Sequence, residues 1–150
     1  MKTKTVEEYI EGIFALQLKH GHAHTNDLAS TLEVAPPSVT EMVQKLANEN
    51  LVNYVPYRGV TLTKDGEKMA KDLLQKHKTL ADFLEIIGVD RKNADIDACQ
   101  IEHHVSPQTM KQLHKFVEFV RSAPQDPKWL EHFKLFCKTG ERPECDLLNE

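Results

Sequence analysis

The densest chemistry in the 150-residue chain lies in the run Cys99-Gln-Ile-Glu102-His103-His104. Read as helix, this run puts Cys99 three residues from Glu102 and four from His103, so a thiolate, a carboxylate and an imidazole share one face. All three are ligands for divalent transition cations, and their coincidence on one stripe is uncommon. His104 falls off that stripe, as a core or surface residue. Near the N-terminus Glu8 and Glu11 repeat the i, i+3 spacing. Such a carboxylate pair, alone, is more often a solvated face than a site, and His77 alone fits a core edge as readily as a ligand shell. Together Glu8, Glu11, His77, Cys99, Glu102 and His103 supply oxygen, nitrogen and sulfur donors from separate helices, enough for one or two divalent cations. The other histidines, at 20, 22, 24, 114 and 132, do not fall into this pattern.

The elements that must position these side chains are mostly helical. Val6, Ile10, Ile13, Phe14 and Gln17 mark one face of a helix over 5–19 that stops at His20-Gly21, with Glu7, Glu8 and Glu11 mostly turned away from it. Thr25 reads as the N-cap of a short helix with Leu28, Ala29 and Leu32 inward. Pro36-Pro37 opens a helix over 36–48 whose buried face is Val39, Met42, Val43 and Leu46. Two β-rich runs, 51–55 and 60–63, flank Pro56-Tyr57-Arg58-Gly59 as a hairpin. A long helical pattern then runs from Thr63 to Ile87 and ends at Gly88, followed by helices at about 94–104, from Ser106-Pro107 onward, and from Trp129 to about Cys137. The fold class is therefore mainly α. A winged helix-turn-helix with a two-stranded wing is expected over 1–71, and an all-helical domain over 72–150.

In a winged helix the helix over 36–48 is the one presented to the major groove. Pro37, Ser38, Thr40, Gln44 and Lys45 lie off its apolar stripe, alongside Glu41. Ser, Thr and Gln bond base edges or phosphates, and Lys45 suits a phosphate. Thr25 at the start of the preceding helix and Arg58 at the hairpin tip complete the expected DNA-contact set. The bland alternative is a solvated helix face used for protein contacts. Charge is the objection to DNA: residues 1–63 hold five Lys and Arg against seven Asp and Glu, a balance of −2, and the whole chain carries −4. Affinity from counterion release would be poor. An acidic chain excludes a general polycation such as a nucleic-acid coat. The apolar runs fall far short of the ~20 residues of a membrane helix. With no apolar leader after the opening Met-Lys-Thr-Lys, a cytoplasmic, reducing location is expected.

The motifs Val6-Glu-Glu-Tyr-Ile-Glu11, Pro37-Ser-Val-Thr-Glu-Met-Val-Gln-Lys-Leu46, Tyr57-Arg-Gly-Val-Thr-Leu-Thr63 and Ile101-Glu-His-His104, with His77 between them, resemble the metal-dependent repressors related to the diphtheria toxin repressor and the manganese transport regulator. The resemblance runs from Thr5 to about Val120. It implies a homodimeric transcriptional regulator whose winged helix binds double-stranded operator DNA when metal bridges it to a helical dimerisation and metal-binding domain over 72–150. It also implies Glu8, Glu11, His77, Cys99, Glu102 and His103 as ligands, and Ser38, Thr40 and Gln44 on the recognition helix.

The ligand set is a hybrid. Manganese-type members are similar in their first-helix carboxylates but carry Glu where this chain has Cys99; iron-type members carry a cysteine there, and usually Met in place of Glu8. A thiolate draws preference from hard Mn²⁺ toward softer cations while carboxylates draw it back, so Fe²⁺ is favoured and Mn²⁺ comes next. Two divalent ions per chain would bring the net charge to about neutral, which makes acidity a part of the switch. Cys137 and Cys145 flank a seven-residue turn that has no zinc-finger spacing; reduced thiols near the terminus stand against a regulatory disulfide or an accessory contact with His132. The rival functions are a metal-independent winged-helix adaptor and a small metallohydrolase. The latter lacks an evident general base, a phosphate-binding glycine loop and room for a substrate cleft.

Overall fold

In the computed structural model, which describes residues 3–144, Thr3 caps the first helix by accepting from the Val6 amide. That helix, α1, spans Lys4–His20 and stops at Gly21, which takes the left-handed conformation that ends helices without a Cβ penalty. Then come α2 (Thr25–Leu32), α3 (Pro36–Asn48), strands β1 (Val52–Val55) and β2 (Gly59–Leu62), and the long α4 (Lys64–Ile86). The remaining helices are α5 (Arg91–Ile101), α6 (Pro107–Arg121) and α7 (Lys128–Thr139). The strands form an antiparallel hairpin with Val52 opposite Leu62 and Val55 opposite Gly59. Helix, helix, helix, hairpin is the winged helix-turn-helix order expected, and the rest of the described chain is helical. Among the described residues no helix is long and apolar enough to cross a membrane.

The chain divides into two compact units. Among the described residues, one contains those up to His77 together with Glu102–His104, and the other contains Lys78–Ile101 and those from Val105 to 144. The first has one core, built from Val6, Ile10 and Ile13 of α1, Leu28 of α2, Val39, Val43 and Leu46 of α3, and Val60 of the wing, each with at most 2% exposure. The apolar stripes of α1 and α3 are thus the faces buried. In the second unit Leu80, Ala81, Ala94, Ala98 and Met110 form one cluster, and Ile86, Val117, Val120 and Leu130 another. Asp82 is buried there against Lys78, Arg91 and Arg121. Burial alone would raise its carboxyl, but the hydrogen bonds and charges of these cations outweigh that and hold it below the usual range. Its contribution to stability is present at neutral pH and fades as pH falls through the depressed value.

One local expectation changes. Thr25 is the first residue of α2 rather than its cap; His24 occupies the cap position, with extended backbone and no side-chain capping bond. The entry to α4 depends on a glycine. A Cβ at Gly66 would lie 2.1 Å from the carbonyl oxygen of Leu51, so only the missing side chain lets α4 approach the start of β1. Gly66→Ala is expected to destabilise the winged helix by about 1–3 kcal/mol or more. Urea denaturation reads this directly, and an unchanged midpoint would contradict the close approach.

Candidate metal centre

On α1, residues four apart lie one turn above each other on the same face. Glu7 and Glu11 therefore project together, while Glu8, about 100° round the helix, is only partly covered and lies 3.8 Å from the Lys4 ammonium. A second segment comes from the end of α5. The helix expected to continue through His104 stops at Ile101, and Glu102–His104 form a turn. Downstream, Ser106 is the extended N-cap of α6 and Pro107 opens it. The residue before a proline is driven out of the helical region, which keeps Ser106 extended and starts α6 afresh. Glu102 and His103 therefore lie just past the last helical residue, Ile101, while Cys99 lies within α5.

The turn delivers Glu102 and His103 into the first unit, where both side chains are 1% exposed. His103 Nδ1 lies 2.6 Å from Glu7 Oε2. Its other ring nitrogen, Nε2, faces Glu102 Oε1 at 3.5 Å and Glu11 Oε2 at 3.9 Å. One donor atom each from Glu11, Glu102 and His103 lies within 4.8 Å of the others. The second oxygen of Glu102 meets His77 Nδ1 at 3.0 Å. Burial, then a hydrogen bond to Glu11, then the charges of Glu11 and Glu7 push the Glu102 carboxyl up to about 9. A raised Glu102 carboxyl holds a proton more firmly than a free glutamate, which reduces the negative charge of the cluster.

This donor set fits a divalent first-row cation. Two carboxylate oxygens and an imidazole nitrogen converge, and the opposite ring nitrogen is anchored by a carboxylate, the arrangement that orients a ligating histidine. Glu7, the anchor, is 6% exposed and was absent from the ligands read from sequence. Its signal was available: Glu7 and Glu11 are i, i+4, a closer match to one helix face than Glu8 and Glu11. His77 reaches the cluster through Glu102. Cys99 is exposed on α5, in the other unit.

The residues read as DNA contacts lie along the surface of the first unit. Pro37, Ser38, Gln44 and Lys45 are exposed on α3, Thr25 is half-buried at the start of α2, and Arg58 is exposed in the wing turn. The half-buried Thr40 donates from its hydroxyl to the Pro36 carbonyl at 3.4 Å. Beside Arg58, Tyr57 is fully exposed in a left-handed conformation with φ 66°. Cys137 and His132 lie on α7; Cys145 is outside the described residues.

A winged helix with an open α3 surface, joined in one unit to a buried carboxylate–imidazole cluster, defines a metal-responsive DNA-binding protein. Residues 1–60 match the family described as iron dependent repressor, N-terminal DNA binding domain, and residues 63–131 match iron dependent repressor, metal binding and dimerisation domain. The transcriptional regulator MntR of Lysinibacillus sphaericus is 41% identical over 134 residues, covering 89% of this chain and 96% of that protein. Among solved structures, the manganese regulator SloR is 30% identical with a TM-score of 0.65, covering 83% of this chain and 58% of that one. A manganese-dependent transcriptional repressor in complex with manganese gives a TM-score of 0.68 at 27% identity, covering 81% of this chain and 55% of that one. The chain belongs to the iron-dependent repressor family, the metal-dependent DNA-binding repressors of transcription. Divalent-metal binding, DNA binding and dimerisation come with that membership.

Because the folded-state value of Glu102 lies above that of an unfolded glutamate, it contributes stability that is fully present below about pH 4 and is lost as pH rises through about 9. Metal-free protein is thus expected to melt at progressively lower temperature between pH 6 and pH 9. Glu102→Gln, which stays neutral, should flatten that slope; identical slopes would remove Glu102 as its source.

Proposed function

We propose that this repressor is switched to operator binding by Fe²⁺, with Mn²⁺ next in preference, at a centre built on Glu11, Glu102 and His103. The observation that carries the reading is the fixed His103 ring, with Nδ1 on Glu7 and Nε2 turned toward both carboxylates. Glu8, His77 and Cys99 complete the proposed ligand set for one or two ions per subunit. When bound, a divalent cation supplies positive charge that offsets the repulsion among Glu7, Glu11 and a deprotonated Glu102. The carboxylates favour hard Mn²⁺ and Fe²⁺ and the Cys99 thiolate favours softer ions, so Fe²⁺ suits the whole set.

The residues divide the work. Glu7 holds the His103 ring. Glu102 gives up its proton on metal binding, and Glu11 carries the centre into α1, whose other face is the core on which α2 and α3 rest. Glu102 and His103 stand between α5 and α6 in the chain, so the hold on this turn is passed along the backbone to both helices. A homodimer then presents two α3 helices to a palindromic operator. Ser38, Thr40 and Gln44 read base edges there, and Pro37, Lys45, Thr25 and Arg58 meet the backbone.

An anaerobic mobility-shift titration of operator-containing promoter DNA with Fe²⁺, Mn²⁺, Zn²⁺ and Ni²⁺ tests this. Binding should tighten with metal, most with Fe²⁺, and His103→Ala should blunt the response; equal binding in excess chelator would sink the switch. Glu7→Ala removes no proposed ligand, yet should weaken metal affinity about 10–100-fold, the usual cost of losing a partner that orients a ligating histidine. Metal titration of the variant with unchanged affinity would show that Glu7 does not orient the ring.

A further inference from the structure

The connection between α1 and α2 holds a pair of imidazoles outside the carboxylate cluster. Gly21 turns the chain out of α1 with φ 81°, and the next residues run extended beside the wing. Ala23, fully buried, exchanges two backbone hydrogen bonds of 2.8 Å with Val60 of β2. Residues on either side of a paired strand position project to the same face, so His22 and His24 are brought together by the backbone and not by chance rotamers. Their Nε2 atoms are 2.9 Å apart, with ring planes at 86°. His22 is further fixed by the wing: a Cβ at Gly59 would come within 2.9 Å of its ring.

In the metal-free chain the two nitrogens share one hydrogen bond, with one ring donating and the other accepting. The spacing also suits a cation. With metal–nitrogen bonds of about 2.0–2.1 Å, a separation near 2.9 Å subtends roughly a right angle, whereas a tetrahedral centre needs about 3.3 Å. Right-angled nitrogen pairs belong to octahedral Ni²⁺ and tetragonal Cu²⁺, and two imidazoles without a thiolate suit both. We propose that His22 and His24 form a second metal site at the root of the wing, separate from the Glu11–Glu102–His103 cluster, for a divalent cation of the Ni²⁺ or Cu²⁺ kind. Water completes the coordination, and His20 is the nearest further imidazole along the chain. A cation there braces the 21–24 segment and, through the Ala23–Val60 bonds, strand β2.

This site does not depend on the metal specificity argued above, and it is tested on the full chain with Ni²⁺ as probe. In amide NMR spectra, paramagnetic Ni²⁺ should broaden signals of 22–24 and 59–60 as a group distinct from those around Glu11 and His103. Broadening confined to the latter group overturns the proposal. By calorimetry, His22→Gln/His24→Gln should bind one Ni²⁺ fewer per chain while its remaining binding keeps the parent affinity; unchanged stoichiometry overturns it equally. The spectra of the unmodified chain decide the matter should the variant fail to fold.

Discussion

Glu102 carries a carboxylate into the interior with 1% of its side chain exposed, where an unpaired charge costs several kcal/mol. Three neighbours make that burial tolerable. His77 approaches one oxygen, His103 faces the other, and Glu11 hydrogen-bonds to the carboxyl. They come from α4, from the turn after α5 and from α1, so the compensation of one buried acid requires three segments distant in sequence to converge. A centre of this kind is held under electrostatic tension by its own scaffold. A proton relieves the tension weakly, and a divalent cation held there would relieve it more fully.

The scaffold can bear this because α1 performs two tasks on two faces. Ile10 and Ile13 are completely buried in the core shared with α2, α3 and the wing, and Glu7 and Glu11 stand on the acid side. A helix rigidly seated by its apolar face cannot rotate its acids away from one another. The position of Glu11 is therefore coupled to the seating of α3 through packed side chains, with no flexible joint between them. Glu7 adds directional control, since the ring it holds at 2.6 Å has one nitrogen left to offer.

Residue periodicity alone makes most of this architecture legible in the sequence. The apolar stripes of α1 and α3, the hairpin around Arg58 and the long α4 were all legible, because helix and strand faces follow from residue spacing alone. Two features of the site were not. The helix pattern read through His104 overran the end of α5 at Ile101, because no glycine or proline marks that end in the sequence. Glu7 and Glu8 are adjacent and chemically identical, and only the packing of α1 decides which acid is buried. Thr25 and His24 at the start of α2 repeat the same one-residue ambiguity. Backbone pairing of Ala23 with Val60, which aligns His22 with His24, has no sequence signature at all.

The protonation of Glu102 also revises the electrostatics of the switch. Counting two positive charges per ion against a net charge of −4 suggests that two ions neutralise the chain. At neutral pH, however, Glu102 retains its proton, because its carboxyl is pushed up to about 9. A divalent ion held by Glu11, Glu102 and His103 would displace that proton, so the net gain there would be about one charge instead of two. Residues 1–63 keep their own balance of −2, and counterion release scales with the phosphates actually neutralised. One added charge is too small to turn a weak DNA binder into a strong one by attraction alone. On the proposed centre the larger share of the switch would come from geometry: a cation held by Glu11 and the 102–104 turn would narrow the positions open to two α3 helices and raise operator affinity by favouring the competent arrangement.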